Sequence, residues 1–222
     1  MQFKRSIFTC AMLLASCAGL FAQAKKTNPS PYVFPEFVKG TVLQKSGGVV
    51  EAVLNYNTIT QEMMFAQNGS NLVMDQADNI DTIYIENRKF IPARSVYFEK
   101  LTETSVPLYI QYKSKALKNG TSYDMGGGSN AAIGGFVGTR KDNSGPNKIM
   151  SYDMNLPDGY QIKTENEYWV QKGGAFYPTT NMKKIVKLFP GKETAIDAYI
   201  KENNISMTKQ EDVVKLIMFA NK

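Results

Sequence analysis

Between residues 40 and 113 the chain is cut into short β-branched and aromatic runs by turn chemistry, at a spacing that leaves room for antiparallel hairpins and little else. The runs fall at 40–43, 49–56, 62–65, 72–74, 82–85 and 89–91. Between them, Ser46-Gly47-Gly48, Gln67-Asn68-Gly69-Ser70 and Glu86-Asn87-Arg88 supply residues that tolerate positive φ or close side-chain turns. Val49-Val50-Glu51-Ala52-Val53-Leu54-Asn55-Tyr56 alternates as a strand with one buried and one wet face does. Runs at 95–101 and 106–113 continue the meander, and Tyr168-Trp169-Val170 closes it. The expectation is a curved antiparallel sheet or partial barrel, with meander and half-barrel reading alike at this level.

The period then changes. Residues 182–189, 195–200 and 213–219 place apolar side chains three and four apart, which predicts three short helices. Pro190-Gly191 stops the first, and Thr208 with Glu211 has the spacing of a capping box ahead of the last. Helices that cover one end or face of the sheet make an α+β domain at 37–222, with the sheet over 37–178 and a helical tail over 179–222.

The first 24 residues have the layout of a signal peptide: Lys4 and Arg5, an apolar stretch over 7–21, and Ala22-Gln23-Ala24 at the cleavage positions. An apolar stretch of about 15 residues falls short of a spanning helix, so no transmembrane helix is expected. Leu14-Ala15-Ser16-Cys17 also resembles a lipobox, and acylation of Cys17 would anchor the protein to a membrane surface. Against that, 18–22 continue the apolar segment instead of opening a polar tether, which favours cleavage after Ala24. Residues 25–36, with Asn28-Pro29-Ser30-Pro31, read as an exposed linker.

Both cysteines, Cys10 and Cys17, lie in that leader, so a chain cut after Ala24 has no disulfide and must draw its stability from core burial. Loss of Lys4 and Arg5 leaves 24 basic against 20 acidic residues, a net +4 spread along the chain that gives no nucleic-acid groove.

The absence of histidine excludes the commonest general base, the usual zinc ligand and any Ser-His-Asp arrangement; thiol catalysis leaves with the cysteines. Asp75, Asp78 and Asp81 lack the calcium-loop pattern and suit turns. Glu165 and Glu167, two apart on an expected strand, make a solvated face more simply than a glycosidase pair. Ser206-Met207-Thr208-Lys209 has Ser-x-x-Lys spacing without its companion motifs, and the Gly126-x-Gly128-x-x-Ala131 fingerprint lacks a strand-to-helix setting. No catalytic residue, metal ligand or cofactor site is assigned, and the balance leans away from an enzyme.

Two features could bind something. The stretch 119–148 is rich in Gly, Asn and Ser, and Gly126, Gly127, Gly128, Gly134 and Gly135 make it a candidate binding loop. Tyr168, Trp169, Phe176 and Tyr177 flank Gly173-Gly174 and offer a candidate aromatic contact surface.

At Leu54-Asn55-Tyr56, Asp81-Thr82-Ile83-Tyr84-Ile85 and Arg88-Lys89-Phe90-Ile91-Pro92, the chain resembles a broad group of exported Bacteroidota cell-envelope proteins without an established activity. Leu188-Phe189-Pro190, 196–201 and Glu211-Asp212-Val213-Val214 extend the resemblance into the tail. It implies strands followed by short helices and carries no functional residues. Asp81-Thr82-Ile83 also looks like that group's acceptor for O-glycosylation. The resulting expectation is a non-catalytic binding or assembly component of the periplasm or outer membrane, whose partner is another envelope protein or an apolar ligand. The alternatives are an apolar-ligand carrier, which needs a continuous apolar cavity, and a hydrolase, which needs two carboxylates facing across a cleft.

Overall fold

The computed structural model describes residues 30–74, 77–118, 121–123 and 160–222. The leader with Cys17, Asp75 and the glycine-rich candidate loop at 126–135 lie outside the described residues.

Ten strands form one antiparallel sheet: Val38–Gln44 (β1), Val49–Asn57 (β2), Glu62–Gln67 (β3), Ser70–Val73 (β4), Ile80–Ile85 (β5), Arg88–Ala93 (β6), Val96–Lys100 (β7), Leu108–Gln111 (β8), Glu167–Lys172 (β12) and Ala175–Pro178 (β13). Their order is β13-β12-β8-β7-β6-β5-β1-β2-β3-β4, so the sheet is open with β13 and β4 at its edges. Ser114–Lys118 (β9), Thr121–Tyr123 (β10) and Tyr160–Thr164 (β11) form a second, three-stranded sheet in the order β10-β9-β11. Met182–Val186 (α1), Glu193–Glu202 (α2) and Gln210–Ala220 (α3) complete an α+β fold.

The expected hairpins form where the turn chemistry puts them. Asn68 and Gly69 both take positive φ between β3 and β4, as a tight two-residue hairpin requires. The same turn between β6 and β7 is made by Arg94 and Ser95, at φ 52° and 67°, without the relief that glycine gives. Gly40 is fixed by crowding, because a Cβ there would stand 2.6 Å from the Tyr84 carbonyl oxygen and 2.9 Å from Leu54 Cδ1.

Alternation divides the sheet into two faces. Val42, Leu54, Tyr56, Met63, Ile83, Ile85, Phe90 and Tyr97 form one core. Leu108 and Val170 receive the helices through Ile185, Ile196, Val213, Leu216 and Ile217, which form a second. On the other side of the strands, Phe98 stacks on Trp169 at 5.3 Å. The described residues contain no cysteine, and the covered cores supply the burial that holds them together.

Two sequence expectations change. The fold begins before Phe37, because Phe34 is 3% exposed and belongs to the first core. The clamp is Asn55, fully buried, whose Oδ1 accepts from Phe34 N at 3.1 Å and from Tyr56 N at 2.8 Å. Its Nδ2 donates to the carbonyls of Phe34 and Glu36, both at 3.0 Å, so three of its four hydrogen bonds hold residues 34–36. Further upstream Thr58 N donates to Pro31 O at 2.7 Å. Residues 30–36 are thus docked, not an exposed linker.

The capping box is also replaced. Lys209 occupies the N-cap of α3 with no side-chain cap, while Thr208 Oγ1 lies 2.8 Å from Ser206 Oγ. Asp212 Oδ2 reaches back to Ser206 N at 3.1 Å instead, placing a negative charge near the positive end of the helix.

Candidate functional site

The strands that leave the large sheet as β8 and return as β12 continue into the small one as β9 and β11, so a single long antiparallel ribbon bends between the two sheets. Glu165 N donates to Lys113 O at 2.7 Å and Lys113 N to Asn166 Oδ1 at 3.2 Å across the bend. A cleft of about 480 Å³ opens inside it. Its wall is drawn from every part of the fold: Ser30, Tyr32 and Val33 of the docked segment, Thr58, Arg88, Glu99, Tyr112, Ser114, Thr164, Asn166, and Gln210 at the start of α3.

Arg88, Glu99 and Tyr112 form its rigid centre. Arg88 opens β6 and Glu99 sits on β7, whose pairing brings the two side chains onto one face. Arg88 Nε donates to Glu99 Oε1 at 2.9 Å, and Nη2 to Oε2 at 2.7 Å, a bidentate pair. Tyr112 OH donates to Oε2 at 2.6 Å. The guanidinium lies over the Phe34 ring, 4.5 Å from its centroid, and 5.3 Å from that of Tyr112. The Asn55 clamp therefore has a second consequence, since it seats the ring on which Arg88 rests.

Burial works against the Arg88 charge, but the hydrogen bond and charge of Glu99 outweigh it and hold the guanidinium pKa above its ordinary value. Burial, reinforced by the Glu99 charge, pushes the Tyr112 hydroxyl above the usual tyrosine range. At neutral pH the centre is a charged pair with a neutral phenol, and its charges cancel.

Among the described residues of the cleft wall Glu99 is the single carboxylate, so no facing carboxylate pair is seen there. Among the described residues no three metal-ligating side chains cluster. The acidic residues singled out in the sequence lie elsewhere: Glu165 pairs with Lys115 at 3.2 Å and Lys163 at 3.0 Å, and Glu167 with Lys113 at 3.6 Å. Asp81 accepts from the Thr82 hydroxyl at 2.9 Å, and Thr82 is 5% exposed, which closes that threonine to a glycosyl donor in the folded chain.

The four candidate aromatics do not converge on one surface. Tyr168 packs among the helices, Trp169 and Phe176 pack against Phe98 on the other face, and Tyr177 is exposed on the edge strand β13. Arg94 caps the Trp169 ring at 5.0 Å, and Trp169 Nε1 donates to Gln111 at 3.1 Å. These contacts use the aromatics for packing.

A second hollow, about 210 Å³ and mostly apolar, lined by Val42, Val50, Ala52, Phe65, Met74 and Ile80 with Gln44 and Asn79, opens at the end of β1 and β2. It is smaller than the roughly 300 Å³ at which small-molecule sites begin. The core beside it is filled by Leu54, Tyr56, Phe90 and Ile83, all fully buried.

The central residues escaped the sequence reading, which took Arg88 as part of a turn and passed over Glu99 and Tyr112. The available signals were Asn55 between the apolar Leu54 and Tyr56 of an expected strand and Glu99 directly after the aromatic pair Tyr97-Phe98. No helix among the described residues is long and apolar enough to cross a membrane. No protein-family profile, curated protein or solved structure matches the chain.

Proposed function

We propose that this is an exported cell-envelope protein of the Bacteroidota type that binds a polar ligand, or a polar segment of a partner protein, in the cleft between its two sheets, without turning it over. The observation that carries the reading is the Arg88–Glu99–Tyr112 centre, held rigid at the wall of a cleft within the usual size range for small-molecule sites. Such a centre is expensive to bury, and the Glu99 carboxylate that could activate the Tyr112 hydroxyl is instead held by two Arg88 donors. Export is supported by the leader-like pattern of residues 1–24.

The apolar hollow beside Val50 favours a second reading, carriage of an apolar ligand, in which only a small group would be enclosed. Affinity capture from the native envelope separates the readings, using the wild-type chain and Arg88→Met, with proteins, lipids and intact mass analysed. The binding reading expects a stoichiometric companion that is lost from Arg88→Met. A lipid retained equally by both forms would transfer the function to the apolar hollow, and an acyl adduct on Cys17 would place the protein on a membrane.

A further inference from the structure

Building on the cleft-binding reading, we propose that the ligand is a neutral polyhydroxylated molecule, one or two sugar rings in size, gripped by the outer edge of the Arg88 guanidinium. The first argument is charge. Among the described residues of the cleft wall, Arg88 and Glu99 are the two charged groups, and they neutralise each other within a hydrogen-bond length. An anionic ligand on Arg88 would lie close to the Glu99 carboxylate, and a cation near Glu99 would face Arg88; the wall therefore disfavours both signs.

The second argument is hydrogen-bonding capacity. Glu99 already takes three donors, two from Arg88 and one from Tyr112, so its oxygens are largely occupied. Arg88 has five N–H donors, of which Glu99 takes one on Nε and one on Nη2. Among the described residues no partner takes the Nη1 donors, and Nη1 with the second Nη2 hydrogen makes a fork for two adjacent oxygens. A carboxylate or a vicinal pair of hydroxyls fits such a fork, and the neighbouring Glu99 charge decides for the hydroxyls. Asn166 gives its Oδ1 to Lys113 N and so keeps its Nδ2 as a donor, while Gln210 adds an amide with both functions. Groups that donate and accept side by side suit a ligand whose hydroxyls do the same.

The third argument is shape. The guanidinium plane is pinned over Phe34 at 4.5 Å, so little side-chain freedom remains to be lost on binding.

The test is calorimetric titration of the exported protein with glucose, galactose, N-acetylglucosamine and cellobiose, beside glucuronate and an uncharged tri-alanine amide. The expected result is saturable binding of at least one neutral sugar, weaker binding of glucuronate than of glucose, and about tenfold loss in Arg88→Lys, which keeps the charge but not the fork. Gln210→Ala, an exposed position, provides a variant that keeps the fold and is expected to weaken the same sugar. Absence of sugar binding, tighter binding of glucuronate, or sugar affinity unchanged in both variants would overturn the inference. Binding of the tri-alanine amide alone, lost in Arg88→Lys, would remove the sugar and leave the cleft reading standing. No binding of any probe, together with a captured companion indifferent to Arg88→Met, would remove both.

Discussion

Replacing Glu99 with glutamine changes one atom and takes away the charge on which the cleft's centre is built. In the native chain the carboxylate accepts Arg88 Nε at 2.9 Å, Nη2 at 2.7 Å and Tyr112 OH at 2.6 Å. A glutamine has one carbonyl oxygen, so its amide nitrogen would face Arg88 Nε in one orientation, and Arg88 Nη2 together with the Tyr112 hydroxyl in the other. The phenol can rotate to accept; the guanidinium cannot. One Arg88 N–H is therefore left without an acceptor, and the guanidinium charge loses its counter-ion over the Phe34 ring. Removing one partner of a fully buried pair costs about 3–5 kcal/mol. The Glu99 side chain is 7% exposed but that of Arg88 is 27%, so water partly rescues the cation and the expected cost is about 2–3 kcal/mol. For a chain of this size that corresponds to a Tm lowered by roughly 5–10 °C. Urea unfolding followed through Trp169, the chain's one tryptophan, gives the measurement. Arg88→Met in the same molecule should recover part of the loss, because it removes the stranded charge. A Glu99→Gln cost below about 0.5 kcal/mol with strict additivity in the double variant would refute the argument that the pair is coupled.

Asn55→Ala should cost about 2–4 kcal/mol by stranding buried groups of Phe34 and Tyr56 and releasing the Glu36 carbonyl, and should expose residues 30–36 to limited proteolysis; an unchanged cleavage pattern would contradict the clamp. Gly40→Ala, which drives a Cβ against the Tyr84 carbonyl oxygen, should lower stability by about 2–3 kcal/mol, and an unshifted urea midpoint would show that the strands part without cost. Burial raises the hydroxyl pKa values of Tyr56, Tyr97 and Tyr112 above their unfolded value of 10.0. The protonated phenols are favoured in the fold, so this stabilisation is complete below that pH and is lost as pH climbs toward the folded values. Absorbance titration at alkaline pH should find these tyrosines ionising only with unfolding, and early ionisation of the full complement would defeat the assignment.

What the sequence determined alone was whatever neighbouring residues settle among themselves. The strand at 49–57, the Asn68-Gly69 turn and the change to a helical period after residue 182 rest on local conformational preference, and each stands where it was expected; the one-wet-face alternation of 49–56 does not hold, because Val49, Val50 and Val53 are exposed while 54–57 are buried on both faces. The exclusion of histidine-based chemistry followed from which residue types the chain contains. Position was another matter. Pairing of β9 with β11 joins residues 114–118 to 160–164, and nothing near either segment specifies the other. Thr208 lost its capping role because Ser206 stood within reach, a competition that spacing does not rank. The cleft is the clearest case: Arg88, Glu99 and Tyr112 are 11 and 13 residues apart in pairs, and Phe34 comes from a segment read as linker. Their meeting depends on strand register, on the bend between two sheets and on a buried Asn55 that ties the N-terminal segment down. Such contacts are won through burial and long-range closure, whose free energy exists only once the distant surfaces are together, and the tertiary structure alone decides them.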